Sequence, residues 1–454
     1  MKLIIVIFVF FCSLLLFSKA AGSLNLKKLN IISFVFYNMI IFSYIGASCV
    51  FLGFRDHYLI AKIKDDSIVL KTYLIIAYTM IFFPLFIILW NRVFVGKKVS
   101  CIYDDFLKQR TVCNRNENLA YIATILATVI GISATAYVFH CIGMIPILHM
   151  NMSTNEMATL RININRGFTG NVYIKNLVMI LLTPLLSYFT YIYFRVTHKK
   201  KWGFIFIINL FLSIIIKTYD FQKSPIIYYF FNYYMIEVML GNKNTLKIFC
   251  LIGSLGAVLI YVQYTFVAGY EGKLFTIRSG PGGRIFMTQI ATLFLHVQAF
   301  PKEVPYLNGA SLPTKLARLI GSSNSWVRSG REVMKLYNPS GIKAGTAGVM
   351  NTLFVGEAYA NWGIWGVMVA PFIVAVSFSL SFLTILKFKK TPLTLVLYLA
   401  LFQSFTGGLQ GGFVDFLYNA GVFLIIGIAY SFYILLNRGK IGMKRPLKLR
   451  RRNL

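Results

Sequence analysis

Apolar runs of membrane-crossing length recur along the chain, separated by short polar stretches that are mostly basic. A helix needs ~20 apolar residues to cross the hydrocarbon core of a bilayer. Runs bounded by charge lie near 3–18, 29–53, 68–90, 119–145, 173–194, 204–219, 226–240, 248–266, 364–386, 392–408 and 415–436. The pattern predicts about eleven transmembrane helices in an all-α polytopic membrane protein. The runs at 226–240 and 392–408 are short. One gap is long, and it divides the chain into residues 1–266 with eight spans, a large loop at 267–363, three spans over 364–436 and a tail at 437–454. No internal repeat is visible, and no linker sets off a soluble domain.

Composition agrees with this pattern. Residues of the hydrophobic set make up 57% of the chain, charged residues 13%, and the mean hydropathy is +0.68. Soluble domains carry about a quarter charged residues, and disordered chains are far less apolar. The unusual term is the net charge of +32, from 46 Lys and Arg against 14 Asp and Glu. Positive residues concentrate in cytoplasmic loops. Placing the tail (Arg438, Lys440, Lys444, Arg445, Lys448, Arg450, Arg451, Arg452) in the cytoplasm makes the other cytoplasmic segments those around Lys27, Lys98, Lys199, Lys243 and Lys389. Together these hold 26 of the 46 basic residues, and the N-terminus falls outside. The basic residues are dispersed over short loops and form no aromatic-studded face, so nucleic acid is not an expected partner. Membrane lipids are.

Lys2, the apolar run after it and Ser18-Lys19-Ala20-Ala21 imitate a secretory signal with a cleavage site. A retained first span is expected, because cleavage would put Lys19, Lys27 and Lys28 outside. Of six cysteines, Cys12, Cys49, Cys141 and Cys250 fall in spans and Cys101 and Cys113 in a cytoplasmic loop. That distribution is neither a disulfide framework nor a zinc site.

The loop at 267–363 carries ten basic residues and four acids, an excess that orientation does not explain. It suggests an anion site at the outer membrane surface. Arg278-Ser-Gly-Pro-Gly-Gly-Arg284 puts two guanidiniums around a Gly-rich turn, whose backbone N–H groups suit phosphate oxygens. Residues 285–300 are apolar but short for a span, so they read as a helix in the interface or packed on the bundle. Arg328 and Arg331 are spaced to share a helical face. The shorter outer loop at 146–172 offers Arg161 and Arg166, and the corner Lys223-Ser224-Pro225 offers Lys223. Lys71, Lys175 and Lys217 lie near span ends and are expected to snorkel; Glu237 is expected to be interfacial.

Residues 349–366 read Val-Met-Asn-Thr-Leu-Phe-Val-Gly-Glu-Ala-Tyr-Ala-Asn-Trp-Gly-Ile-Trp-Gly. Phe354-x-Gly356-Glu357-x-Tyr359-x-Asn361-x-Gly363-x-x-Gly366, just before the ninth span, resembles the Wzy-type oligosaccharide repeat-unit polymerases. The layout of spans, the basic outer loops and the Lys-Ser-Pro corner are similar too. The resemblance implies a GT-C-like membrane glycosyltransferase of the bacterial inner membrane, with one large periplasmic loop. It implies an enzyme that joins undecaprenyl-diphosphate-linked oligosaccharide units into O-antigen or capsular polysaccharide, and a Wzz-type chain-length co-polymerase as partner.

On that reading the leaving diphosphate needs preorganised cations, for which Arg161, Arg166, Lys223, Arg278, Arg284, Arg328 and Arg331 are the candidates. Glu357 is the candidate catalytic base, and Tyr359 and Asn361 are candidate sugar contacts or helix-cap partners. The Arg-to-Gly spacing of the periplasmic Arg-rich repeats described for some polymerases is not found here. There is no Asp-x-Asp, so no metal or other cofactor is expected. Two alternatives remain: an O-antigen ligase, whose loop histidine would have to be His296, and a lipid-linked oligosaccharide flippase, which should show two similar halves.

Overall fold

The computed structural model describes residues 1–96, 98–113, 116–146, 156, 160–164, 167–220, 222, 224–262, 276, 278, 280–319, 321–322, 326–345, 347–417 and 419–437. In chain order the helices are α1 (Lys2–Ala21), α2 (Ile31–Phe51), α3 (Asp66–Val95), α4 (Val99–Lys108), α5 (Glu117–Ile142), α6 (Ile174–Thr197), α7 (Lys200–Thr218), α8 (Ser224–Leu240) and α9 (Thr245–Val262). There follow α10 (280–299), α11 (Thr314–Leu319), α12 (Ser329–Tyr337), α13 (Pro339–Lys343), α14 (Phe354–Lys387), α15 (Pro392–Gly411), α16 (Val414–Leu417) and α17 (Ala420–Asn437). Among the described residues there is no strand.

Among the described residues, nine helical segments are long and apolar enough to cross a membrane. They correspond to nine of the eleven expected spans. The other two, α8 and α9, are helical but shorter in their apolar reach. The 17 residues of α8 measure about 26 Å at 1.5 Å per residue, less than the ~30 Å hydrocarbon core. The outer surfaces of the long helices carry exposed Leu3, Phe8, Phe11, Phe204, Phe211 and Trp365, as a lipid-facing surface requires.

Side-chain caps set the helix starts. The Asn30 side chain accepts from the N–H groups of Ile32 and Ser33, and the Ser33 hydroxyl accepts from the Asn30 N–H, a reciprocal capping box. Asp65 caps α3 through the Ser67 N–H at 2.8 Å. Within the spans, Thr79, Thr124, Thr128 and Thr135 donate to the carbonyl four residues back, which satisfies each hydroxyl without a partner helix.

The body is built on α14, which packs along α3, with α1 on the other flank of α3. Described loops meet on two faces of the bundle. On the basic face Lys28 pairs with Asp104, and buried Lys390 donates to the carbonyls of Phe106, Leu107 and Gln109 at the end of α4. On the opposite face Lys64 pairs with Glu303, and Lys62 donates to the Tyr337 carbonyl, so the 52–65 loop meets the large loop. Helix α4 is an element that no span-length run foretold; it buries Val99, Tyr103 and Phe106.

The apolar segment at 285–300 takes the packed alternative. Every residue from Ile290 to Ala299 is buried, and α10 is wedged against α2, α3 and α14. A side chain on Gly46 of α2 would put its first carbon 2.0 Å from the Phe286 carbonyl oxygen, so glycine is what lets the two backbones meet. Both helices are π-helical at this contact, over Ile40–Tyr44 and Arg284–Thr288.

Two expectations about charged groups need correction. Lys175 is only 4% exposed and donates to the Ile164 carbonyl at 3.0 Å instead of snorkelling, and Lys217 donates to the Ile180 carbonyl at 3.1 Å. Glu237, near the end of α8, is 1% exposed and held by Arg195 through Nε at 2.7 Å and Nη2 at 2.8 Å, and by the Tyr191 hydroxyl at 2.6 Å.

Candidate functional site

The motif at 354–366 forms the first turns of α14 and the break that follows them. Helical backbone runs from Phe354 to Asn361, then Trp362 (φ −134°, ψ 17°) and Gly363 (φ 58°, ψ −138°) interrupt it before the long span. Gly363 occupies the left-handed region, and a side chain there would sit 2.8 Å from the Tyr306 hydroxyl. Gly366 lets the second segment approach the first: its first side-chain carbon would lie 2.1 Å from the Ala358 carbonyl oxygen. The spacing of Gly356, Gly363 and Gly366 therefore encodes a short buried helix folded back on the start of a span.

Asn361 ties this helix to the large loop. It is fully buried, its amide donates to the Ser311 hydroxyl at 2.8 Å and to the Glu357 carbonyl at 2.9 Å, and its oxygen accepts from the Gly309 N–H at 3.0 Å. Main-chain bonds from Leu307 to Ala360 and from Asn308 to Asn361 extend the seam. Tyr359 is also fully buried. Its hydroxyl donates to the Phe300 carbonyl at 3.2 Å and accepts from Lys71 of α3 at 2.7 Å, and the Lys71 ammonium lies 4.9 Å from its ring. The Tyr306 ring meets it edge-on, and burial raises the Tyr306 hydroxyl above its usual range.

Glu357 points to the 411–415 turn between α15 and α16. It is 8% exposed, and its Oε2 accepts the Val414 N–H at 3.1 Å, with the Ser311 hydroxyl also in play. Gly412 (φ 151°) lies against it, and a side chain there would come within 2.3 Å of Oε2. Asp415 follows on α16, close enough to Glu357 and to Arg328 for each to act on it electrostatically.

The arginines divide. Arg328 is the residue before α12 and donates to the Asn351 side chain at 3.0 Å; Arg331 donates to the carbonyls of Ala347 and Gly348. Both turn toward the 347–351 segment that leads into α14, and Arg328 is near enough to Asp415 to act on it electrostatically. Arg278 and Arg284 are exposed at the start of α10. The Gly-rich stretch between them does not form an open turn: Gly280–Gly283 is the first turn of the helix, with Pro281, Gly282 and Gly283 buried. Arg161 is exposed on a helical turn that packs with α5, α6 and α7, in a separate cluster. Arg166 and Lys223 lie outside the described residues. Among the described residues, none of these arginines forms an ion pair with a carboxylate.

Lys71, Ser311, Gly412 and Asp415 join the site without having been singled out in the sequence. The signal available for two of them was the Gly411-Gly412 doublet and the fact that Asp415 is the one acid after Glu357. A second buried polar group was also missed. In α6 and α8, Tyr229 and Tyr233 share a hydroxyl contact of 2.8 Å, both bond the Ser187 hydroxyl, and Asn232 donates to Tyr188. His296 is fully buried; its Nδ1 lies 2.7 Å from the Thr292 carbonyl, and burial pushes it down to about 4. Among the described residues no group of His, Cys, Asp or Glu is placed to hold a metal ion. No family model, curated protein or solved structure matches the chain.

Proposed function

We propose that the protein is a polysaccharide polymerase: a GT-C-like membrane glycosyltransferase that joins undecaprenyl-diphosphate-linked oligosaccharide units at the periplasmic face of the bacterial inner membrane. The observation that carries the reading is the motif at 354–366. Its glycines, Glu357 and Asn361 are each used in one construction, which fastens the large loop to the bundle beside the 411–415 turn.

The chemistry asks for cations near a departing diphosphate and a base near an acceptor hydroxyl. Arg328 and Arg331 supply positive charge beside a carboxylate pair, and exposed Arg278 and Arg284 flank the entry to α10. Exposed Arg161 is a further cation for the same anionic carrier; Arg166 and Lys223, expected from the sequence to serve it too, lie outside the described residues. Tyr359 and Asn361, as fully engaged buried groups, shape the sugar site from beneath. Purified protein given lipid-linked repeat units is expected to yield dimers and longer oligomers with release of undecaprenyl diphosphate; units that stay single contradict the reading.

The ligase alternative loses support because His296 is buried, with one ring nitrogen on a backbone carbonyl. The flippase alternative draws on one observation, the buried tyrosine network and Arg195–Glu237 pair of α6 and α8, since transporters place polar groups inside the bundle. Transport without coupling of units would identify it.

A further inference from the structure

The chain has more than three basic residues for every acid. Among the described residues Asp66, Asp104, Glu117, Glu237, Glu303 and Glu332 are in ion pairs. Asp56, Asp65, Asp105, Asp220, Glu357 and Asp415 are not, and of these Glu357 and Asp415 lie close enough to interact with each other. They differ in access. Glu357 is buried, and its carboxylate fills the hollow above Gly412 and binds the Val414 N–H. Asp415 is exposed. It rests on Gly408 and Gly411 of α15, where a side chain at 411 would come 2.7 Å from Asp415 Oδ2. Gly411 thus leaves room for this carboxylate, and Glu357 fixes the residue just before it.

We propose that Asp415 is the catalytic base and Glu357 a positioning residue that holds Asp415 through Val414. The proposal rests on the polymerase reading. In the step it describes, the acceptor hydroxyl oxygen bonds to the anomeric carbon of the donor chain, and the bond from that carbon to the diphosphate oxygen breaks. The bonding pair leaves with the diphosphate, beside Arg328. The hydroxyl proton passes to the Asp415 carboxylate and then to water. The charged and titratable groups facing Asp415 are Glu357 from α14 and Arg328 from the segment before α12; Gly408 and Gly411 of α15 bring none.

The test is the coupling rate of purified full-length protein with lipid-linked repeat units, as a function of pH, for wild type, Asp415→Asn, Asp415→Glu and Glu357→Gln. Asp415→Asn is expected to lose roughly 100-fold or more in kcat, with KM little changed and the melting temperature of wild type. Asp415→Glu should recover part of that loss. Glu357→Gln keeps an oxygen for the Val414 N–H, and it should retain a tenth or more of the rate together with the acid limb of the pH profile. Coupling by Asp415→Asn at the wild-type rate overturns the assignment, as does a Glu357→Gln protein that is folded but loses the acid limb. Wild-type protein that couples nothing overturns the polymerase reading and the role of Asp415 with it.

Discussion

Gly412 and Glu357 are fitted to each other. The glycine's φ of 151° disfavours any side chain, and the carboxylate occupies the place one would take. Gly412→Ala is expected to cost about 1–3 kcal/mol from backbone strain and displacement of the carboxylate. The melting temperature of the detergent-solubilised protein should fall, whereas Gly427→Ala, at a position open to 4 Å, should leave it unchanged. His296 makes a separate prediction. Its folded pKa is pushed down to about 4 from the ordinary 6.5, so the unfolded chain binds its proton first. Its contribution to stability is complete above pH 6.5 and is lost as pH falls toward 4. His296→Leu should flatten the decline in melting temperature across that window; an unchanged slope would contradict the assignment. Glu357, Tyr359 and Asn361 were legible in the sequence because a spaced motif contains them. Asp415 and Lys71 were not, since their membership depends on contacts across 58 and 288 residues of chain, which no local pattern carries.

The elements were legible where hydrophobicity decides them. Nine long runs became nine long helices because a span buries or exposes apolar surface along its whole length and needs no specific partner. The segment at 285–300 is where the pattern stopped short: its composition fits an interfacial helix and a buried one equally, and only its packing against α2, α3 and α14 selects the second. In helices α6 and α8 the pair Arg195–Glu237 spans 42 residues of chain, a separation that no local pattern carries. Removing one member of a buried pair is expected to cost roughly 3–5 kcal/mol, and replacing both with apolar residues much less. Arg195→Met should therefore lower the melting temperature sharply, and Arg195→Met with Glu237→Met should restore most of it. A double variant as unstable as the single one would show that the pair is not the unit.

At the scale of the molecule, described loops on one face meet through Lys28–Asp104 and Lys390, and loops on the other meet through Lys64–Glu303 and carry the candidate site. Exposed Cys101 on the first face should react with an impermeant maleimide only after membranes are opened, whereas a cysteine in place of Lys343 on the second should react in intact cells. The opposite pattern would invert the orientation and take the site away from the periplasm. The central claim is tested most directly by deleting the gene in its host, restoring it on a plasmid and resolving the surface polysaccharide on a gel. Deletion should remove the ladder of long chains and leave single-repeat product, with the ladder returning on complementation. A ladder that survives deletion, or the loss of the single-repeat product as well, would contradict polymerisation as the function.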